Sequence, residues 1–113
     1  MKNIKIIEVP SEIGAGTRGS SLGIEAIKVA ALDFMSNFFI HFPSEKIQDE
    51  NKILYEPIES PYAKRIKGVA AMYDKLSKSI CNSMKDNFFP VVLSGDHSTS
   101  GGTIAGIKMA KPK

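Results

Sequence analysis

The sequence is poor in residues that cross-link a chain or cluster around metals. One cysteine, Cys81, and two histidines, His41 and His97, occur among 113 residues, and tryptophan is absent. A lone thiol forms no internal disulfide and is far short of a zinc-binding thiolate cluster, and such usage fits a reducing compartment. Long apolar runs are missing too. The longest, Phe88 to Leu93, is far below the roughly 20 residues of a membrane span. The opening MKNIKIIEVPSEIGAG lacks the apolar core of about 7 to 15 residues that a secretory signal needs. The expectation is a cytoplasmic protein with no membrane partner. A closed eight-stranded α/β barrel, which takes about 250 residues, is excluded by length, and one small unit is expected.

Arginine is scarce as well: Arg18 and Arg65 stand against thirteen lysines. Net charge is +3, split unevenly between six basic and nine acidic groups in residues 1–60 and nine and three in residues 61–113. A basic half can mark a nucleic-acid partner. Base stacking, however, needs aromatic residues interleaved with the basic ones, and none are. The lysines are therefore expected on a solvated helix face, with no nucleic-acid partner.

What is present alternates between strand and helix patterns. Lys2 to Val9 is β-branched and stopped by Pro10, as in a strand. After a glycine-bearing loop, Ser20 or Ser21 can cap a helix to about Met35, with Ile24, Ile27, Ala31, Phe34 and Met35 on one face. Phe38 to Phe42 is an apolar patch ended by Pro43 in which His41 is expected to pack, and Ser44 to Lys52 reads as a surface excursion. Ile53 to Ile58 reads as a short extended piece. Ser60 and Pro61 then mark a helix start, and the helix is expected to run to Asn87. Ile66, Val69, Tyr73, Leu76, Ile80 and Met84 form its apolar stripe. Cys81 lies beside that stripe as a buried, inert thiol. Phe88 to Ser94 matches a strand buried on both faces, and Ser98 to Ala110 a glycine-rich helix. This order predicts an open α/β fold on a parallel sheet.

Ligands of such sheets gather beyond the carboxyl ends of the strands, which singles out two loops. The first, Gly14 to Gly19, reads G-A-G-T-R-G and matches the dinucleotide fingerprint through Gly14, Gly16 and Gly19. Against a nucleotide, Pro10 to Ile13 separate the strand from the first glycine and Ser20 to Leu22 delay the helix. No Asp or Glu follows at the ribose position, where Phe38 to Phe42 stand. The second loop, Ser94-Gly95-Asp96-His97-Ser98, offers an imidazole with an adjacent carboxylate. Such a pair suits a metal or substrate, and equally a helix cap. No G-x-S-x-G elbow surrounds Ser94, Ser98 or Ser100, so a serine nucleophile is not expected.

Ser94 to Ser98 resembles the G-G-D-H-S metal-ligand motif of the ureohydrolase superfamily of arginases, agmatinases and formiminoglutamases. Glu12 to Ala30 is similar to that family's first loop and helix, and Pro90 to His97 also matches in register. The resemblance covers nearly the whole chain and is strongest to bacterial arginases. It implies a three-layer α/β/α fold and manganese-dependent hydrolysis of a guanidinium, as in arginine to ornithine and urea. His97 would be a ligand to one of two Mn2+ ions and Asp96 a supporting group. Neither a catalytic residue nor a substrate-binding residue is assigned.

Family members carry a later Asp-x-His-x-Asp cluster and an Asp-x-Asp pair. Here Lys111-Pro112-Lys113 comes before them. Residues 1–113 are thus expected to be the N-terminal segment of one arginase-like domain, inactive alone and prone to associate through its exposed sheet or to form homo-oligomers. The alternatives are a nucleotide-binding βαβ module on Gly14, Gly16 and Gly19, or a non-catalytic interaction domain.

Overall fold

The computed structural model describes residues 3–112. Strand β1 spans Asn3–Val9, helix α1 Leu22–Asp33, a single turn α2 Phe38–His41 and strand β2 Ser44–Lys46. A 3-10 turn at Asn51–Tyr55 leads to α3, Ile66–Lys85; then come β3, Phe88–Ser94, a 3-10 turn at His97–Thr99 and α4, Ser100–Ala110. Lys2, where the first strand was expected to begin, lies outside the described residues.

The sheet is parallel with order β2-β1-β3. β1 is therefore the central strand, and its Ile6, Ile7 and Val9 are fully buried. The expectation that Phe88 to Ser94 is buried on both faces is corrected: β3 is an edge strand of the described sheet, and Phe89 is exposed. β2 was not expected. Ser44-Glu45-Lys46 has no apolar signature, and its pairing comes from the backbone, with Ile6 N–H donating to Pro43 O and Ile47 N–H to Glu8 O.

Successive β1 side chains point to opposite faces. Ile7 and Val9 form the core with Ile13, Ile47 and α3 residues Met72, Leu76 and Ile80. On the other face, Lys28 of α1 donates to the buried Glu8 carboxylate at 2.8 Å. Helices thus lie on both faces of the sheet, an α/β/α arrangement as expected. The α3 stripe turns out rotated toward Met72, because the buried side holds Gly68, Met72, Leu76 and Ile80 while Ile66 is exposed. α4 abuts α3 at Gly106, where a Cβ would stand 2.6 Å from Ile80 Cβ and 2.7 Å from Ser77 O. Only glycine permits that approach.

Several expectations are corrected. α1 buries only Ile24 of its expected face; Ile27, Phe34 and Met35 are exposed, because a three-stranded sheet is too narrow to cover them. Ile53 to Ile58 is not extended, since a 3-10 turn occupies Asn51–Tyr55. Ser60 and Pro61 do not start α3: the backbone turns through Ala63 and a left-handed Arg65, and helix begins at Ile66. His41 is exposed, and its ring meets that of Phe42 edge-on. Cys81 is buried and free, as expected. Two lysines of the lysine face pair with first-half acids, Lys75 with Glu50 at 2.7 Å and Lys67 with Glu59 at 3.0 Å, and Lys78 pairs with Asp74 on the same helix at 2.9 Å. No helix among the described residues is long and apolar enough to cross a membrane.

Candidate functional site

The parallel register pairs Val9 with Ser94, so the chain leaves β1 and β3 side by side. Gly95 N–H donates to Val9 O at 3.0 Å, and a Cβ on Gly95 would stand 2.4 Å from Ser11 O. The chain just after β3 is therefore in backbone contact with the end of β1 and with Ser11, at the carboxyl ends of adjacent strands where α/β folds place their chemistry.

Asp96 ties the loops after β1 and β3 together. Its Oδ2 accepts the N–H groups of Gly14 at 3.0 Å and Ala15 at 3.2 Å, and its Oδ1 accepts Ser98 N–H at 2.8 Å as well as the Ser98 hydroxyl. An ionised carboxylate facing several N–H donors is held by the stronger, charge-assisted type of hydrogen bond. Ser94 Oγ donates to Asp96 O at 2.7 Å and lies 2.9 Å from the buried Thr99 hydroxyl. The loop carrying His97 is thereby fixed, while the imidazole itself is exposed.

A second carboxylate, which sequence reasoning missed, organises the first loop. Glu12 is fully buried; Gly19 N–H, Ser21 N–H and Arg18 Nε–H all donate to its side chain. Burial would push its carboxyl pKa up, but the N–H groups of Ser21 and Gly19 and the Arg18 guanidinium outweigh that and hold it down at about 2. The expected serine cap is corrected: the N–H groups of Leu22, Gly23 and Ile24 donate to the carbonyls of Gly19, Ser20 and Ser21. Ser21 occupies the N-cap position of α1 in helical conformation and makes no side-chain cap bond. The one signal in the sequence was an acid three residues past the end of β1 and seven residues before Gly19.

This bonding opposes the nucleotide alternative. A phosphate cradle needs free loop N–H groups. Here those of Gly14 and Ala15 go to Asp96, that of Gly16 to Glu12 O, and that of Gly19 to the Glu12 carboxylate. Two carboxylates and one backbone carbonyl already occupy these donors.

For a metal ion, His97 offers one accessible imidazole. Asp96 has both oxygens committed, and no group of three or more His, Cys, Asp or Glu side chains is placed to hold an ion among the described residues. That donor set does not fit a two-ion centre, which clamps reacting oxygens between metals about 3.5–4 Å apart.

Comparison with known proteins gives one consistent result. The model of the Arginase family matches residues 2–113. The arginase of Brevibacillus brevis is 34% identical over 118 residues, covering 94% of this chain and 36% of its own length. That of Bacillus caldovelox is 32% identical over 112 residues, with 95% and 36% covered. Among solved structures, arginase from Bacillus cereus superimposes with a TM-score of 0.69 at 29% identity, over 95% of this chain and 35% of that one. The native Bacillus caldovelox arginase gives 0.66 at 31% identity, over 95% and 36%. The chain spans about a third of the length of the relatives it matches.

Proposed function

This chain belongs to the arginase family, and on that premise we propose that it forms the part of a manganese-dependent ureohydrolase that presents His97 as one metal ligand. The observation that carries the reading is an exposed imidazole at the carboxyl end of β3, on a loop held rigid by Asp96, within a family match running from residue 2 to residue 113.

In the complete family site, a manganese ion held by His97 and further ligands would supply Lewis-acid activation of water for the hydrolysis of a guanidinium substrate such as arginine to ornithine and urea. The residues here contribute to that chemistry in two ways. His97 provides a nitrogen donor, and Asp96 positions it without ligating, because its oxygens hold Gly14, Ala15 and Ser98. In keeping with a match that covers about a third of the relatives' length, residues 1–113 are read as the N-terminal segment of the domain, with no turnover of a guanidinium substrate expected from this segment alone. The substrate partner is a small guanidinium compound met in the cytoplasm.

The test is a Mn2+ titration followed by electron paramagnetic resonance, run beside a urea-release assay. Weak binding that His97→Ala abolishes with an unchanged thermal melt is the expected result, with no urea formed from arginine. Binding indifferent to His97→Ala removes the ligand assignment. Urea release at rates ordinary for enzymes, about 1–1000 per second, removes the claim that the segment is inactive alone.

A further inference from the structure

Asn51 lies in the stretch that the sequence marks as a surface excursion, yet it is only 4% exposed. Both ends of its side-chain amide are engaged: Oδ1 accepts Glu12 N–H at 2.8 Å, and Nδ2 donates to Pro10 O at 2.8 Å. Side-chain amides offer an acceptor and a donor side by side. The edge of β1 that faces β2 explains why one is used here. Ile6 N–H donates to Pro43 O, and Glu8 O accepts Ile47 N–H. Past the end of the strand, Asn51 supplies the next partners from a side chain. Its own place is fixed by Asp49 Oδ1, which accepts Asn51 N–H at 2.8 Å. Lys75 of α3 holds the same segment, donating to Glu50 Oε1 at 2.7 Å and to Gln48 O at 3.2 Å.

The backbone gripped in this way seats the His97 loop. The two Asn51 bonds bracket Ser11, and Ser11 O is the atom that a Cβ on Gly95 would approach to 2.4 Å. Glu12 O accepts the N–H groups of Ala15 at 3.1 Å and Gly16 at 3.2 Å. That turn aims the Gly14 and Ala15 N–H groups at Asp96 Oδ2, while Asp96 Oδ1 accepts Ser98 N–H. Consecutive hydrogen bonds therefore run from Asn51, through the Glu12 peptide, to Asp96 and Ser98 on either side of His97.

We infer that Asn51 is a positioning residue for His97. It hydrogen-bonds neither His97 nor Asp96, and it sets the backbone against which both are seated. Without the amide, the Glu12 N–H loses its acceptor and Pro10 O its donor, a loss that favours opening of the turn. The functional weight of the inference rests on the reading of His97 as a metal ligand, whereas the mechanical link is measurable without metal.

Amide hydrogen exchange on the 113-residue chain tests it. In Asn51→Ala, the Gly14, Ala15 and Ser98 amides should exchange at least about tenfold faster relative to those of Leu76 and Ile80 in α3. Ile80→Val, a packing change alone, should not favour the three loop amides, which separates positioning from a general loss of stability. In the unsubstituted chain, added denaturant should release Glu12, Gly14, Ala15 and Ser98 as one opening unit, a measurement that stands even if Asn51→Ala folds poorly. Broadening of the Ser98 amide resonance by Mn2+ should require at least about threefold more ion in Asn51→Ala. Loop amides accelerated no more than core amides, separate opening of the four amides, or broadening at the wild-type Mn2+ concentration in folded Asn51→Ala each overturns the inference. If the broadening survives His97→Ala, it is the metal reading that fails, and the exchange data alone decide whether Asn51 holds the loop.

Discussion

The Asp96 carboxylate holds Gly14 from 82 residues away, accepting its N–H at 3.0 Å and that of the next residue at 3.2 Å. This pairing locks the loop after β1 to the loop after β3. Asp96→Ala should therefore free both loops and cost about 1–3 kcal/mol through unsatisfied N–H groups. Asp96→Asn, which keeps one acceptor oxygen, should cost less. Chemical denaturation of the two variants measures the order, and equal losses would contradict it.

Glu12 makes stability depend on acid. Its folded-state pKa of about 2 lies below the ordinary value of 4.5, so its contribution is present above pH 4.5 and is lost as pH falls toward 2. Glu45, held down by the Ser79 hydroxyl, and Glu50, held down by Lys75, act in the same direction. Glu12→Gln should cost about 2–4 kcal/mol at neutral pH and flatten the acid limb of a melting-temperature profile. An unchanged acid limb would count against Glu12 as its source.

Two glycine substitutions should separate close approach from helix propensity. Gly95→Ala places a methyl 2.4 Å from Ser11 O and should cost about 3 kcal/mol or more. Gly23, inside α1, has no positive φ, and apart from its chain neighbours and the helix's own backbone no described atom lies within 4 Å of the place its Cβ would take. Gly23→Ala should stabilise by about 0.5–1 kcal/mol. Thermal melts of both variants provide the check.

Exposed apolar side chains on α1 and just after it, including Leu22, Val29, Leu32, Phe34 and Met35, should drive concentration-dependent association. Leu32→Lys with Val29→Lys should shift sedimentation toward monomer. A wild-type chain that sediments as monomer across the concentration range would refute this.

Most of the fold was legible because its signals are local. β-branched runs mark β1 and β3, and a twenty-residue apolar period marks α3. β2 was illegible because three polar residues pair through backbone alone. The α3 start was misread because Ser60-Pro61 is a good local cap signal, overridden by the turn that places Arg65. Of the site, His97 and Asp96 were visible from their motif. Glu12 was not, because its role depends on three donors converging on one buried carboxylate.

The order of strands and helices, the two loops at strand ends and the family resemblance follow from the amino-acid sequence, since each rests on residues close together along the chain. What those loops do with their hydrogen-bonding groups was settled by tertiary contacts. The β1–β3 register brings Asp96 to Gly14 and Gly95 to Ser11. The Gly14 and Ala15 N–H groups hold the His97 loop through Asp96 and those of Gly16 and Gly19 bind the buried Glu12, so they are no longer free to cradle a phosphate.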